Sequence, residues 1–282
     1  MNRRGNLRIK NNAMLKVGEA LRKLRKARKI SIEDLAADAG ISAPALSHIE
    51  NSQVEQPNLA TLKKLLTALN EREDVLFSES KLILEGYGYK SHSGLPNATD
   101  IKQAIKAWAV PFKSTALPAY LVDYAQRVHD MNNVALSFLG VDTENENIAE
   151  WTVFDLAFSE RLQNNITITN RDEFIVQMVR TMKSEFAPLM AENWCTDCIC
   201  NAQNKYPMFK TIWETIQAAE LPEVGVRTMG PICLSISGFG NLSFDLVGTD
   251  LISDPRFRAI QYIPRDAETY EKCFHLIEVL NL

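Results

Sequence analysis

No aromatic residue precedes Phe77, although the 282-residue chain holds 4 Trp, 12 Phe and 7 Tyr. The first 76 residues must therefore build any core from aliphatic side chains alone, and the length allows two domains of different construction. Charge divides at the same place. Residues 1–75 hold 14 Lys+Arg and 9 Asp+Glu, a net of +5; of the totals of 31 and 35, this leaves 17 and 26 for residues 76–282, a net of −9. Arg3, Arg4, Arg8, Lys10, Lys16, Arg22, Lys23, Arg25, Lys26, Arg28 and Lys29 face only Glu19 in the opening thirty residues. That density suits a polyanion. With no aromatic platform on which unpaired bases stack, duplex DNA fits this module better than single-stranded nucleic acid.

At 46% hydrophobic and 23% charged residues the chain is not a disordered polymer. No run approaches the roughly 18 to 20 apolar residues of a membrane span, and the opening MNRRGNLRIKNN lacks the apolar stretch of a signal peptide. A cytoplasmic protein without membrane contact is expected. Five cysteines, an odd number, argue for free thiols rather than a disulfide framework.

Within the basic module, Val17, Ala20, Leu21, Leu24 and Ala27 make one apolar stripe, which predicts a first helix. Ser31 with Asp34 forms a variant capping box for a short second helix burying Ile32, Leu35, Ala36 and Ala39. Gly40 supplies the turn, and Ser42 caps a third helix with Ala45, Leu46 and Ile49 inward. Asn58 caps a fourth, carrying Leu59, Leu62, Leu65, Leu66 and Leu69.

The order Ala36, Gly40, Leu46, Ile49 resembles the helix-turn-helix of the Xre/Cro-type, lambda-repressor-like regulators, over about residues 15 to 70. The resemblance implies that the third helix enters the major groove with Ser42, Ala43, Pro44, Ser47 and His48 toward base edges. It implies phosphate contacts at Ser31, Asn51 and Gln53. None of the base-facing positions carries the Arg, Asn or Gln that reads a base in bidentate fashion, so DNA shape would carry much of the preference. Regulators of this type pair to match two half-sites, hence a homodimer is expected.

Beyond Pro96 the pattern becomes mixed. Tyr120 to Val122, Arg127 to Met131, a helix capped at Asn132 or Asn133 and closed by Gly140, and later runs 232–237, 240–247 and 257–264 read as five strands around central helices. This order resembles a PAS domain. A helical middle from Phe174 to Thr211, with Ile175, Met178, Val179, Met182, Phe186 and Met190 on one face, and the segment Tyr206 to Trp213 resemble an insertion in the MmyB-like regulators. Those regulators carry a ligand-binding domain associated with fatty acids. The tract Glu214 to Arg227 lacks the histidines usual in that family.

Phe138, Trp151, Phe154, Phe158, Met178, Met182, Phe186, Phe209, Trp213, Phe239 and Phe244 can line an apolar cavity, although any PAS core also needs such residues. Arg127, Arg180 and Arg227 are the cations considered for a bound carboxylate. Cys195, Cys198 and Cys200 lack the second ligand pair of a structural zinc site, so no metal is expected, and a redox-sensing role is the alternative for them. No nucleophile elbow, phosphate loop or HExxH pair appears, and no catalysis is expected.

The expectation is a multi-domain chain: a basic disordered arm over 1–14, an all-α helix-turn-helix domain over 15–72, a connecting helix and linker over 73–98, an α+β PAS-like domain with a helical insertion over 99–265, and a C-terminal helix over 266–282. Functionally it is a one-component regulator with duplex DNA and a small apolar ligand as partners, a bound fatty acid in place of any cofactor. The alternatives are the redox-responsive regulator and a protein-interaction scaffold that reads no DNA.

Overall fold

The computed structural model describes residues 17–89, 94–142, 144–159, 166–218, 226–236 and 240–280, in two compact units that divide between Asp100 and Ile101. The arm expected over residues 1–14 and Phe239 lie outside the described residues.

In the first unit residues 17–27 are helical (α1), followed by α2 (Ile32–Asp38), α3 (Ala43–Glu50), α4 (Leu59–Arg72) and α5 (Phe77–Gly86). The caps act as their residue types dictate: Ser31 Oγ accepts from Asp34 N at 3.0 Å, Ser42 Oγ from Ala45 N at 3.3 Å and Asn58 Oδ1 from Ala60 N at 2.8 Å. Gly40, at φ +65°, turns the chain between α2 and α3. Leu21, Leu35, Leu46, Leu62, Leu65 and Leu69 are wholly buried, so an aliphatic core does form. Ala27 and Ala45, expected inward, are exposed, while Leu24 and Leu46 on the same helices carry the packing.

α5 is not a free connector. Ile83, Leu84 and Tyr87 join the same core as α1 to α4, the Tyr87 hydroxyl donates to Ile49 O at 3.1 Å, and Tyr89 donates to Pro57 O at 2.8 Å. The first aromatics of the chain thus complete the aliphatic module and are spent on packing.

α6 (Ala98–Phe112) leads into a second unit built on one antiparallel sheet of six strands: β1 (Ala119–Asp123), β2 (Val128–Met131), β3 (Ile166–Ile168), β4 (Val226–Ile236), β5 (Gly240–Asp250) and β6 (Phe257–Pro264). Their order across the sheet is β2-β1-β6-β5-β4-β3. Leu121 pairs with Ala259, Val247 with Gln261 and Thr167 with Ser235. Period-two alternation then sorts side chains by face. Ala119, Leu121, Phe257 and Ala259 pack with Trp108 of α6, while Tyr120, Val122, Ile260 and Tyr262 join the packing around Ala135.

The helical layer comprises α7 (Asn133–Phe138), α8 (Val153–Phe158), α9 (Arg171–Phe186), α10 (Asn193–Lys205) and α11 (Pro207–Thr215); α12 (Ala267–Leu280) follows β6. Asn132 caps α7 by accepting from Ala135 N, and it also accepts from Ala119 N at 3.1 Å and donates to Leu117 O at 2.8 Å, so one buried side chain fixes both the helix and the start of β1. Two expectations change. Among the described residues six strands replace five, since β3 is too short to show alternation, and β4 begins six residues earlier than its apolar run. The helical middle is three helices rather than one face, and Met190, beyond the end of α9, is 47% exposed.

Candidate functional site

α3 presents Ser42, Pro44, Ala45 and His48 to solvent, with Ser47 half-buried, while Leu46 and Ile49 are anchored below. What holds the helix is ionic as well as apolar. Glu50, only 2% exposed, accepts from Arg25 Nε at 2.7 Å and Arg25 Nη2 at 2.8 Å, and Arg25 Nη1 donates to Ile30 O at 3.0 Å. Arg22 adds a bond to Glu50 Oε2 at 3.3 Å and another to Asn51 Oδ1. Asn51 in turn donates to Ser47 Oγ at 3.2 Å. A buried carboxylate needs such partners, and their effect is to fix the carboxyl end of α3 against α1.

This corrects the reading of the basic segment. Arg22 and Arg25 are spent on Glu50, and Arg28 donates to Glu73 O and Asp74 O at 3.0 and 2.7 Å. Lys23, Lys26 and Lys29 remain exposed on that segment, with Lys63 and Lys64 on α4. Among the residues assigned to bases, Ala43 packs against the core, and Ala45, which was not assigned, faces outward. Among those assigned to phosphates, Asn51 and Gln53 are exposed. Ser31 is exposed too, but its hydroxyl donates to Asp34 Oδ2 at 2.7 Å, and Glu33 and Asp34 in the first turn of α2 bring charge of the wrong sign for a phosphate.

In the second unit a cavity of about 230 Å³ lies between α7, α8, α9 and the sheet. Phe138 and Met178, named from sequence, line it; so do Tyr120, Tyr262, Leu246 and Arg171, which were not. A second cavity of about 310 Å³ shares Tyr120, Val153, Met178, Met229 and Leu246 with the first and also takes in Met182. Its charges are matched: Arg258 bonds to Asp250 at 2.6 Å and to Glu185, Arg256 to Asp254 at 2.7 Å, and Asp123 to Arg127 at 2.7 Å and His129 at 3.0 Å.

The other named aromatics serve the core. Phe154 meets Phe209 edge-on at 4.9 Å, Phe158 meets Phe209 at 5.8 Å, Phe244 lies 6.1 Å from Phe138, and Phe186 lies 6.2 Å from Trp213. Trp151 and Trp213 are half-buried against the same clusters. Of the three cations considered, Arg127 is paired with Asp123, Arg180 is exposed, and the Arg227 side chain lies outside the described residues.

Cys195, Cys198 and Cys200 fall on α10. Burial pushes the Cys195 thiol up and, aided by the nearby Cys195, Asp123 and despite Arg127, pushes Cys198 up to about 12; Cys198 Sγ donates to Ala125 O at 3.4 Å. Cys200 is exposed. Raised thiols disfavour the thiolate that redox chemistry needs. Among the described residues no group of three or more His, Cys, Asp and Glu is placed to hold a metal ion, and no helix is long and apolar enough to cross a membrane.

A helix-turn-helix family model matches residues 21–76, which span α1 to α4. The HTH-type transcriptional repressor RghR of Bacillus subtilis (strain 168) is 37% identical over 100 residues, covering 36% of this chain and 71% of that protein. An uncharacterized HTH-type transcriptional regulator of the same organism, RghRB, is 46% identical over 52 residues, 18% of this chain and 37% of that protein. Neither match spans most of the present chain.

Proposed function

The chain belongs to the helix-turn-helix transcription regulators, and from that premise we propose a one-component regulator that binds duplex DNA through α3 and a small apolar ligand through its second unit. The observation that carries the proposal is α3 itself: its outer face holds Pro44, Ala45, Ser47 and His48 with no Lys, Arg, Asp or Glu, and its inner face is locked by Leu46, Ile49 and the Glu50 ion pairs. A helix whose carboxyl end is fixed in this way suits rigid insertion into a major groove. Pro44 and Ala45 fit thymine methyl groups, Ser47 and His48 supply adaptable hydrogen bonds, and Asn51, oriented by Arg22, is a phosphate contact.

The strand order β2-β1-β6-β5-β4 supports the PAS-like reading of the second unit, with β3 as an added edge. Resemblance to the MmyB-like regulators favours a fatty acid as the ligand, and the cavity above β4 to β6 is its place. The protein is proposed to act as a cytoplasmic homodimer, because one short helix reads too few base pairs for a specific site. It has no proposed enzymatic role. A ligand alters regulation only by the difference in its affinity for the DNA-competent and incompetent states.

The test is fluorescence anisotropy of the full chain on duplexes selected from a random pool, across a salt series. Affinity that falls as a power of salt concentration, and falls at least tenfold further in Asn51→Ala/Gln53→Ala, supports the proposal. Selection that enriches no duplex would sink it and favour the interaction scaffold.

A further inference from the structure

Among the described residues that line the cavity of about 230 Å³, Arg171 alone carries a charge. The surroundings are apolar: Phe138, Leu156, Met178, Ile232 and Leu246. Tyr120 and Tyr262 also reach the cavity, but their hydroxyls hydrogen-bond to each other, and burial pushes the Tyr262 hydroxyl up to about 12. Both tyrosines are thus neutral at physiological pH.

Among the described residues Arg171 is spent on little. Its Nη1 donates to the thioether of Met208 at 3.3 Å, a weak acceptor for one of five N–H groups. The contrast lies in the neighbouring cavity, where Arg256 and Arg258 are each matched to carboxylates. An arginine at the first helical position of α9, half-buried at an apolar cavity and without a carboxylate among the described residues, is arranged for an anion brought by something else. The planar guanidinium fits a carboxylate by two parallel hydrogen bonds.

We propose that Arg171 anchors the carboxylate of a single-chain amphiphile whose alkyl tail fills the cavity beside Met178. The proposal rests on the reading of this cavity as a fatty-acid site and adds the anchoring residue and a size limit. A volume of about 230 Å³ holds about eight water-sized groups. A medium-length chain fits, and a longer one must displace Met178 or Met229, which form part of the wall shared with the second cavity. Methionine is the side chain best suited to that displacement.

The experiment is calorimetric titration of the full-length, solvent-stripped protein with decanoate and with 1-decanol, at pH 7.5 and low salt. The wild type is expected to bind decanoate at least tenfold more tightly than decanol. Arg171→Gln is expected to bind the two alike, with decanol affinity within about twofold of wild type, and Arg171→Lys to keep part of the preference. Equal affinities in the wild type, or an undiminished preference for the acid in Arg171→Gln, would overturn the anchor while leaving the cavity reading intact. If the wild type binds neither molecule, the cavity reading itself fails and the anchor with it. The wild-type comparison and the lysine variant decide the matter even if the glutamine variant does not fold.

Discussion

Glu50 is the residue on which the first unit turns. Its carboxylate is buried between Arg25 and Arg22 at the end of α3, so Glu50→Ala leaves the Arg25 guanidinium, 8% exposed, without its partner. Breaking one side of a buried pair costs about 3–5 kcal/mol. Hydrogen exchange of the intact chain should show that loss across α1 to α5 and not across the sheet. Asp123 plays the equivalent part in the second unit. Burial alone would raise its carboxyl, but the His129 hydrogen bond and the Arg127 charge outweigh it and hold the group below its ordinary value of 3.8. A depressed carboxyl stabilises the fold above that value and loses its contribution as pH falls through the lowered one. Asp123→Asn should therefore weaken the second unit at pH 7, with the difference from wild type vanishing in acid, as followed by circular dichroism. Cysteine reactivity gives a third check: iodoacetamide should label the exposed Cys200 first and Cys198 and Cys273, both pushed up to about 12 by burial, last. Labelling of Cys198 first would restore the redox alternative. None of these pairings was legible in the sequence. Leu46 and Ile49 announce themselves by spacing, whereas Arg25 and Glu50 stand 25 residues apart, and nothing local distinguishes an arginine that turns inward from one that meets a phosphate.

At the level of elements, α1 fixes α3 by close approach. A Cβ built on Gly18 would lie 2.5 Å from Ser52 Oγ, 2.6 Å from Glu50 O and 2.8 Å from Ile49 O, and two of those atoms are backbone. Gly18→Ala should cost about 1–3 kcal/mol and, by displacing the end of α3, lower DNA affinity without touching an exposed residue. Unchanged stability would mean that the two helices are not held as described. The helices of this unit were readable because caps, turn glycine and apolar period agree at every boundary. The packing of α5 on this core is not legible in the sequence, since ten residues with Leu82, Ile83 and Leu84 in succession define no single face, and it depends on Tyr87 reaching Ile49. β3 was missed because three residues show no period, and the early part of β4 because its Gly230-Pro231 step resembles a turn. Of the aromatic and thioether residues named from sequence, Phe138, Met178 and Met182 line the two cavities, and the other described ones pack around them. Phe154, Phe158 and Phe209 satisfy one another, while the cavity wall falls to side chains at alternate strand positions, such as Tyr120, Leu246 and Tyr262.

For the whole molecule, the division of charge gives the two units different tasks. The positively charged first part is suited to the phosphate field of DNA, and the second unit, with 15 Lys+Arg against 23 Asp+Glu over residues 101–282, a net of −8, is repelled by it. The proposed regulator requires that ligand occupancy alter DNA affinity, and couplings between sites typically reach 5- to 150-fold. The decisive measurement is the affinity of the solvent-stripped full chain for its selected duplex, with and without saturating decanoate, at one fixed salt concentration. A change of at least about fivefold in either direction is expected if the cavity controls DNA binding. Equal affinities, with decanoate shown by calorimetry to be bound throughout, would contradict it.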